Sequence, residues 1–171
     1  MSYPQRDFHD PGLQRIADRL ILTLTRDRLV QDTLNRLRSH LQVDRVVLYY
    51  FYRPWQGQVT AESLADPSLS ILGSTGADDC FNGDYAARYL AGRTRAIADV
   101  SQAGLAPCHL EFLRQIHVRA NLVVPVLVHQ RLWGLLIAHH CQSSHHWAPT
   151  DLDAVQAAAG QLSQSPALQS V

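Results

Sequence analysis

The chain has 171 residues, 46% hydrophobic and 18% charged, and its 15 basic residues are balanced by 15 acidic ones. That apolar supply suits one compact domain with a single core, and the even charge leaves no footprint for nucleic acid or an anionic membrane. Every basic residue is arginine, so chemistry that starts from a lysine amine is excluded, and Schiff bases to retinal or pyridoxal go with it. The N-terminus lacks an apolar signal core, and no stretch approaches the roughly 20 apolar residues that cross a bilayer, which leads to the expectation of a soluble, cytoplasmic domain. Cys80, Cys108 and Cys141 make an odd count without a secretory signal, so free or modified thiols are expected rather than a disulfide framework.

After an N-terminal extension over 1–12, Leu13, Ile16, Ala17, Leu20, Ile21 and Leu24 fall at helical spacing. Leu29, Val30, Leu34, Leu37 and Leu41 repeat the pattern beyond a break near Asp27. Arg45 to Tyr52 is β-branched and aromatic and ends at Arg53-Pro54, and Gln58 to Leu64 follows beyond Gly57, which predicts a hairpin. A long segment from Ala65 to Leu105 is rich in Gly, Asp and Ser, with a short helical patch at Tyr85–Leu90 and a β-like Thr94–Val100. Loops of that length in a compact domain are usually functional. A second hairpin is predicted from Asn121 to Val128 and Arg131 to His139, turning at His129-Gln130, its apolar second arm suited to a central strand. Pro149 opens a closing helix to about Leu162, with Thr150 or nearby acids serving its N-terminus, and 163–171 reads as a tail or linker. The order predicts a three-layer α/β (α+β) domain over 13–162, a central antiparallel sheet flanked by helices.

Pro107 suits the first position of a helix continued by Leu110, Leu113 and Ile116, which puts Cys108 in the first turn, where a thiolate is stabilised. His109 beside it supplies an imidazole that moves protons or packs on a ring. A structural cysteine is the other reading of that position. In Asp78-Asp79-Cys80-Phe81 an extended backbone turns Asp78 and Cys80 to one side, an acid and a thiol facing one ligand. Taken alone, the same stretch equally suits a solvated turn. His139-His140-Cys141 with His145-His146 has zinc-type donors, but in no common zinc spacing, and no metal site is read there.

In combination, Asp78-Asp79-Cys80-Phe81, Tyr85 with Arg88-Tyr89 and Gly92-Arg93, Cys108-His109, Val118 to Val126, and Leu132 to His139 resemble the cyanobacteriochrome photoreceptor GAF domains. The likeness is to their two-cysteine, Asp-x-Cys-Phe subfamily and runs from about Leu13 to Leu162. It implies a covalently bound linear tetrapyrrole (bilin), phycocyanobilin or its isomer phycoviolobilin, that undergoes Z/E photoisomerisation. By the resemblance, Cys108 forms the permanent thioether and His109 packs against or hydrogen-bonds the bilin. Asp78 accepts from the pyrrole N–H groups, and Cys80 adds reversibly to the central methine bridge, which shortens the conjugation. Arg88, with Tyr89 beside it, is implied as the partner of a propionate, His139 as a hydrogen-bond donor to the D-ring, and Phe81 and Tyr85 as pocket walls; Trp133 is read as plain core. Asp79 stands where some members have proline, which leaves that loop less stiff. The domain would then be a non-enzymatic input module, apart from autocatalytic bilin attachment and isomerisation, feeding an output domain in the same or another chain. The alternatives are a GAF domain binding a small diffusible ligand such as a cyclic nucleotide and, last, a thiol enzyme using Cys108 and His109.

Overall fold

The two helical patterns fold as α1 (Pro11–Arg26) and α2 (Arg28–Leu41) in a computed structural model that describes residues 10–53, 56–76 and 88–171. Each begins on an aspartate. The Asp10 carboxylate accepts from Gly12 N–H at 2.9 Å and that of Asp27 from Val30 N–H at 3.0 Å, which satisfies donors that the first helical turn leaves unpaired. Asp27 itself is extended, so it ends one helix and caps the next.

The strands are β1 (Arg45–Arg53), β2 (Gln56–Leu64), β3 (Arg95–Ile97), β4 (Ala120–Val128) and β5 (Arg131–His140), in the order β2-β1-β5-β4-β3 with every neighbouring pair antiparallel. His129 and Gln130 close the β4–β5 hairpin as predicted, both at positive φ (50° and 62°), the handedness that a two-residue hairpin turn needs. The first hairpin differs from expectation. Gly57 lies inside β2 opposite Phe51, and a Cβ there would stand 2.0 Å from the Tyr50 carbonyl oxygen, so this glycine answers to close backbone approach rather than to a turn.

Alternation along the strands makes the sheet two-faced. Val46, Leu48, Leu122, Val124, Leu136 and Ala138 point to one side, where they pack with Leu20, Leu24, Leu34, Val155 and Leu162 of the helices. Val47, Tyr49, Val123 and Leu135 point to the other. Trp133 would share the side of Leu135 by parity, but a register shift at Val126/Leu127 opposes it to no single partner and turns it into the helical core against Tyr50, ring centroids 4.8 Å apart. It is core, as expected.

The helical layer is completed by α4 (Pro149–Ser163), where the Asp151 carboxylate, rather than Thr150, accepts from Ala148 N–H at 2.8 Å. The segment expected to fray instead folds back. Ser165 Oγ accepts from Ala167 N–H, a short helix α5 (Pro166–Gln169) follows, and Leu168 is fully buried against the main core. One leucine in a polar run carries no periodicity, so no sequence pattern announced it. Among the described residues, no helix is long and apolar enough to cross a membrane.

Two glycines separate steric need from tolerance. At Gly134 a Cβ would stand 1.8 Å from the Tyr49 carbonyl oxygen, whereas at Gly160, inside α4, it would meet nothing within 4 Å. Gly134→Ala is expected to lower unfolding stability by about 1–3 kcal/mol or more. Gly160→Ala is expected to raise it by about 0.5–1 kcal/mol. Urea unfolding midpoints check both, and equal losses at the two positions would contradict the close backbone approach at Gly134.

Candidate ligand-binding site

On the face of the sheet away from the main helices lies a cavity of about 860 Å3, counted out to its open mouth. Its floor is the outward row of the strands, with Val47, Tyr49 and Phe51 from β1, Val59 from β2, Val123 from β4, and Leu135 and Ile137 from β5. The opposite wall is Tyr89 together with His109, Phe112 and Leu113 of α3 (Pro107–Gln115) and Ile116 just beyond its end. The stretch from Ile71 to Gly76 closes one side, and backbone bonds hold it to β2, Val59 N–H donating to the Ser74 carbonyl and Gly73 N–H to the Val59 carbonyl, each at 2.9 Å. Tyr49 Oη accepts from Gly76 N–H at 2.8 Å, which ties the same stretch to β1. The result is a largely apolar cleft with few polar groups, the usual character of a small-molecule site.

Pro107 opens α3 and Cys108 stands exposed in its first turn, as the sequence predicts. Ala106 provides no side-chain cap to this helix. Among the described residues Cys141 is a free thiol, whereas Cys108 is disulfide-bonded, against the expectation of free or modified thiols, and a bond from its sulfur to any ligand requires the reduced thiol. An odd cysteine count cannot show which thiols the fold brings within bonding reach. His109 lines the cavity, and burial, followed by the nearby Arg95 cation, holds its imidazole below the ordinary histidine range and therefore neutral at pH 7.

At the end of the cavity Arg45 and His139 face each other across the β1–β5 ladder, 1% and 3% exposed. Arg45 donates Nε–H to His139 Nδ1 at 3.1 Å, Nη1–H to the Leu69 carbonyl at 2.7 Å and Nη2–H to the Ile116 carbonyl at 2.8 Å. Burial and then the adjacent guanidinium push the His139 pKa well down, so the ring is neutral. Asn121, opposite His139 on β4, also lines the cavity, and its buried Oδ1 has no hydrogen-bond partner.

Of the residues singled out by sequence, Cys108, His109, Tyr89 and His139 gather at this cavity or its edge, Tyr89 buried in its wall. Arg88 is exposed and does not line it, whereas Arg95 of β3 does. Asp78, Cys80, Phe81 and Tyr85 lie outside the described residues. Sequence reading missed Arg45, Arg95 and Asn121. Each is a polar residue at the edge of an apolar strand, in phase with cavity-facing neighbours such as Val47, Ile97 and Val123, and that parity was the available signal.

The GAF domain family is matched over residues 25–165. An uncharacterised protein of Picosynechococcus sp. strain PCC 7002 is 60% identical over 131 residues, 77% of this chain and 81% of that protein. A putative methyl-accepting chemotaxis protein of Synechocystis sp. strain PCC 6803 is 36% identical over 82% of this chain, which spans 14% of that protein's length. Among solved structures, the blue-light absorbing form of the Thermosynechococcus elongatus PixJ GAF domain is similar with a TM-score of 0.73, 34% identity, and coverage of 92% of this chain and 89% of that one. The phycocyanobilin-bound GAF domain of a cyanobacterial phytochrome has a TM-score of 0.73 at 26% identity over 99% of this chain and 97% of that one.

A buried imidazole, His139, and a half-buried one, His109, both held neutral, make stability depend on pH. Unfolding releases His109 and His139 into water, where they bind protons below about pH 6.5. The unfolded state then binds more protons than the folded one, so stability rises with pH and is lost as pH falls through that value. Urea midpoints taken from pH 7.5 to 5.5 are expected to fall, by at most about 1.4 kcal/mol per pH unit for each histidine. His139→Gln, which keeps an acceptor for Arg45, is expected to flatten the slope, and an unchanged slope would show that His139 is not held neutral.

Proposed function

The chain belongs to the GAF domain family, and from that premise we propose that it is a photochromic light-sensing domain carrying a linear tetrapyrrole, phycocyanobilin or phycoviolobilin, on Cys108. The observation that carries the reading is an apolar cavity on the sheet walled by the helix whose first turn presents the Cys108-His109 pair. The likeness to a PixJ domain and to a phycocyanobilin-bound domain over more than nine tenths of this chain supports it.

The residues present suit such a group. Flat apolar rings match walls made by Val47, Phe51, Val123 and Ile137, and the unpartnered Oδ1 of Asn121 suits a ligand with a buried polar edge. When bound, the tetrapyrrole supplies visible absorption and light-driven Z/E isomerisation. Cys108 holds it through a thioether, reduced sulfur being the nucleophile. His109 packs on it as a neutral imidazole able to donate from one nitrogen and accept at the other. Arg95 is the cation at the cavity suited to a propionate by bidentate hydrogen bonding, with exposed Arg88 a second candidate farther out and Tyr89 a wall that also offers a hydroxyl.

Within the same reading Asp78 accepts from the pyrrole N–H groups, Cys80 forms the reversible second thioether that blue-shifts one photostate, and Phe81 and Tyr85 complete the walls. These four assignments rest on the sequence motif. Onward signalling runs to an output domain in the same or another chain; the chemotaxis relative, in which the matching segment is a small part, supports that arrangement. α4, packed on β4, is the element positioned to carry the change.

Absorption spectra of protein made under reducing conditions in a bilin-producing host, before and after illumination, test the proposal. Wild type is expected to be coloured, to change colour with light, and to keep its pigment under denaturation. Cys108→Ala is expected to lose the denaturation-resistant pigment, and retaining it sinks the central assignment. Cys80→Ala is expected to lose the bluer photostate; if both original colours persist, the second thioether is withdrawn. A protein that stays colourless favours a GAF domain with a small diffusible ligand.

A further inference from the structure

The connection from β5 to α4, residues 141–148, is fastened along its length. Cys141 N–H and the Gln142 amide donate to Asp44, just before β1, at 2.7 and 3.3 Å. His145 N–H donates to the Ala98 carbonyl at 2.9 Å and Trp147 Nε1–H to the Ile97 carbonyl at 3.0 Å, which ties the second half to the end of β3. Ala148 N–H donates to the Asp151 carboxylate in the first turn of α4.

One imidazole nitrogen in this arrangement faces two groups with opposite demands. His140, the last residue of β5, accepts at Nδ1 from Ser143 N–H at 3.3 Å, and the same Nδ1 stands 3.6 Å from Asp44 Oδ2. A backbone N–H needs a lone pair on that nitrogen and a carboxylate needs a proton on it, so Nδ1 serves one of them at a time. Neutral, with its proton on Nε2, the ring holds Ser143 and turns a lone pair toward the carboxylate. Protonated, it donates to Asp44 in a charge-assisted bond, and the N–H of exposed Ser143 passes to water. The two side chains are 18% and 11% exposed, so solvent screens the pair only in part.

The change has a path to α4. The His140 ring stacks on that of His145, centroids 5.2 Å apart and 17° from parallel, and His145 meets Trp147 edge-on at 4.5 Å. Trp147 adjoins Ala148, the residue before α4. Burial, followed by the nearby His140, holds the His145 imidazole below the ordinary histidine range, so the stacked pair accepts one proton more readily than two. The other charged or titratable groups at this end of the sheet are Arg45, bound to His139 and two carbonyls, and Arg119, whose N–H donates to the His140 carbonyl at 2.8 Å. Cys141 has its thiol pushed up by burial, His146 is exposed, and Asp151 accepts from Ala148. Among the described residues that leaves Asp44 as the carboxylate in reach of His140.

We propose that His140 is a proton-operated switch on the β5–α4 connection: its neutral ring fastens the loop through Ser143, and its protonated ring releases Ser143, closes on Asp44 and moves the His145–Trp147 stack that leads into α4. The device works with or without a tetrapyrrole in the cavity, and within that reading it sets the starting position of the helix that carries the signal.

Long-range 1H–15N spectra of the 15N-labelled protein, titrated from pH 8 to pH 5, follow the His140 ring, its signals assigned by their loss in His140→Gln. The ring is expected to carry its proton on Nε2 at pH 8 and on both nitrogens at pH 5; a proton on Nδ1 at pH 8, or a ring still neutral at pH 5, overturns the proposal. The backbone amides of Ser143 and Ala148 are expected to move with the same midpoint as the ring and to stay still in His140→Gln. A Ser143 amide that ignores that midpoint overturns the exchange of partners, and a Ser143 that follows while Ala148 does not overturns the path to α4. Asp44→Asn, which keeps an acceptor for Cys141 N–H and removes the charge, is expected to lower the midpoint by about one pH unit, near the lower end of what a hydrogen bond to a charged group contributes. An unmoved midpoint removes Asp44 as the alternative partner and the switch with it. Should either variant not fold, the ring is assigned through bonds from its own backbone and the wild-type titration still decides.

Discussion

The guanidinium of Arg45 is the constraint around which the ligand face of this domain is organised. It is a charge 1% exposed, and its donors go to an imidazole nitrogen and two main-chain carbonyls. Burial of a cation is costly unless every donor direction is met, so these bonds fix more than the arginine. They join β1 to β5, to the segment after β2 and to the C-terminal end of α3, the pieces that enclose one end of the cavity. The preceding residue, Asp44, works outward from the same strand start. Its carboxylate accepts from Cys141 N–H at 2.7 Å and from the Gln142 amide at 3.3 Å, which secures the end of β5 to the start of β1.

Stability and binding are assigned to opposite faces of one sheet. The helical face is packed by side chains such as Leu24, Leu34, Leu48, Leu136, Leu162 and Leu168, all without measurable exposure, and it supplies most of the buried apolar area. The other face packs through smaller clusters and leaves space. Because alternate residues serve alternate faces, a cavity-side residue can change its polarity without touching the main core. Arg45, Asn121 and His139 are placed in that way, each beside a neighbour that points toward the helices, Val46, Leu122 and Ala138.

Legibility in the sequence followed the length scale of the interaction. The break near Asp27, the Pro107 helix start, the two-residue turn at His129-Gln130 and the strand pattern all depend on residues a few positions apart, and these were readable. Cys108-His109 was readable for the same reason, as a local motif at a helix start. Gly57 was misplaced because its need comes from the Tyr50 carbonyl across the hairpin, and the tail was misread because Leu168 owes its burial to distant helices.

The sequence by itself determined the order and type of the elements, the antiparallel two-hairpin core of the sheet and the presence of a cysteine–histidine pair at a helix start, since short-range sterics, capping and hydrophobic periodicity act between near neighbours. Only the tertiary structure decided that Arg45 reaches His139, that Asn121 is left with an unpartnered oxygen beside it, and that Arg95 rather than Arg88 lines the cavity. Those outcomes are set by strand register and by which backbone carbonyls come within reach, geometry that exists only once residues far apart in the chain have been brought together.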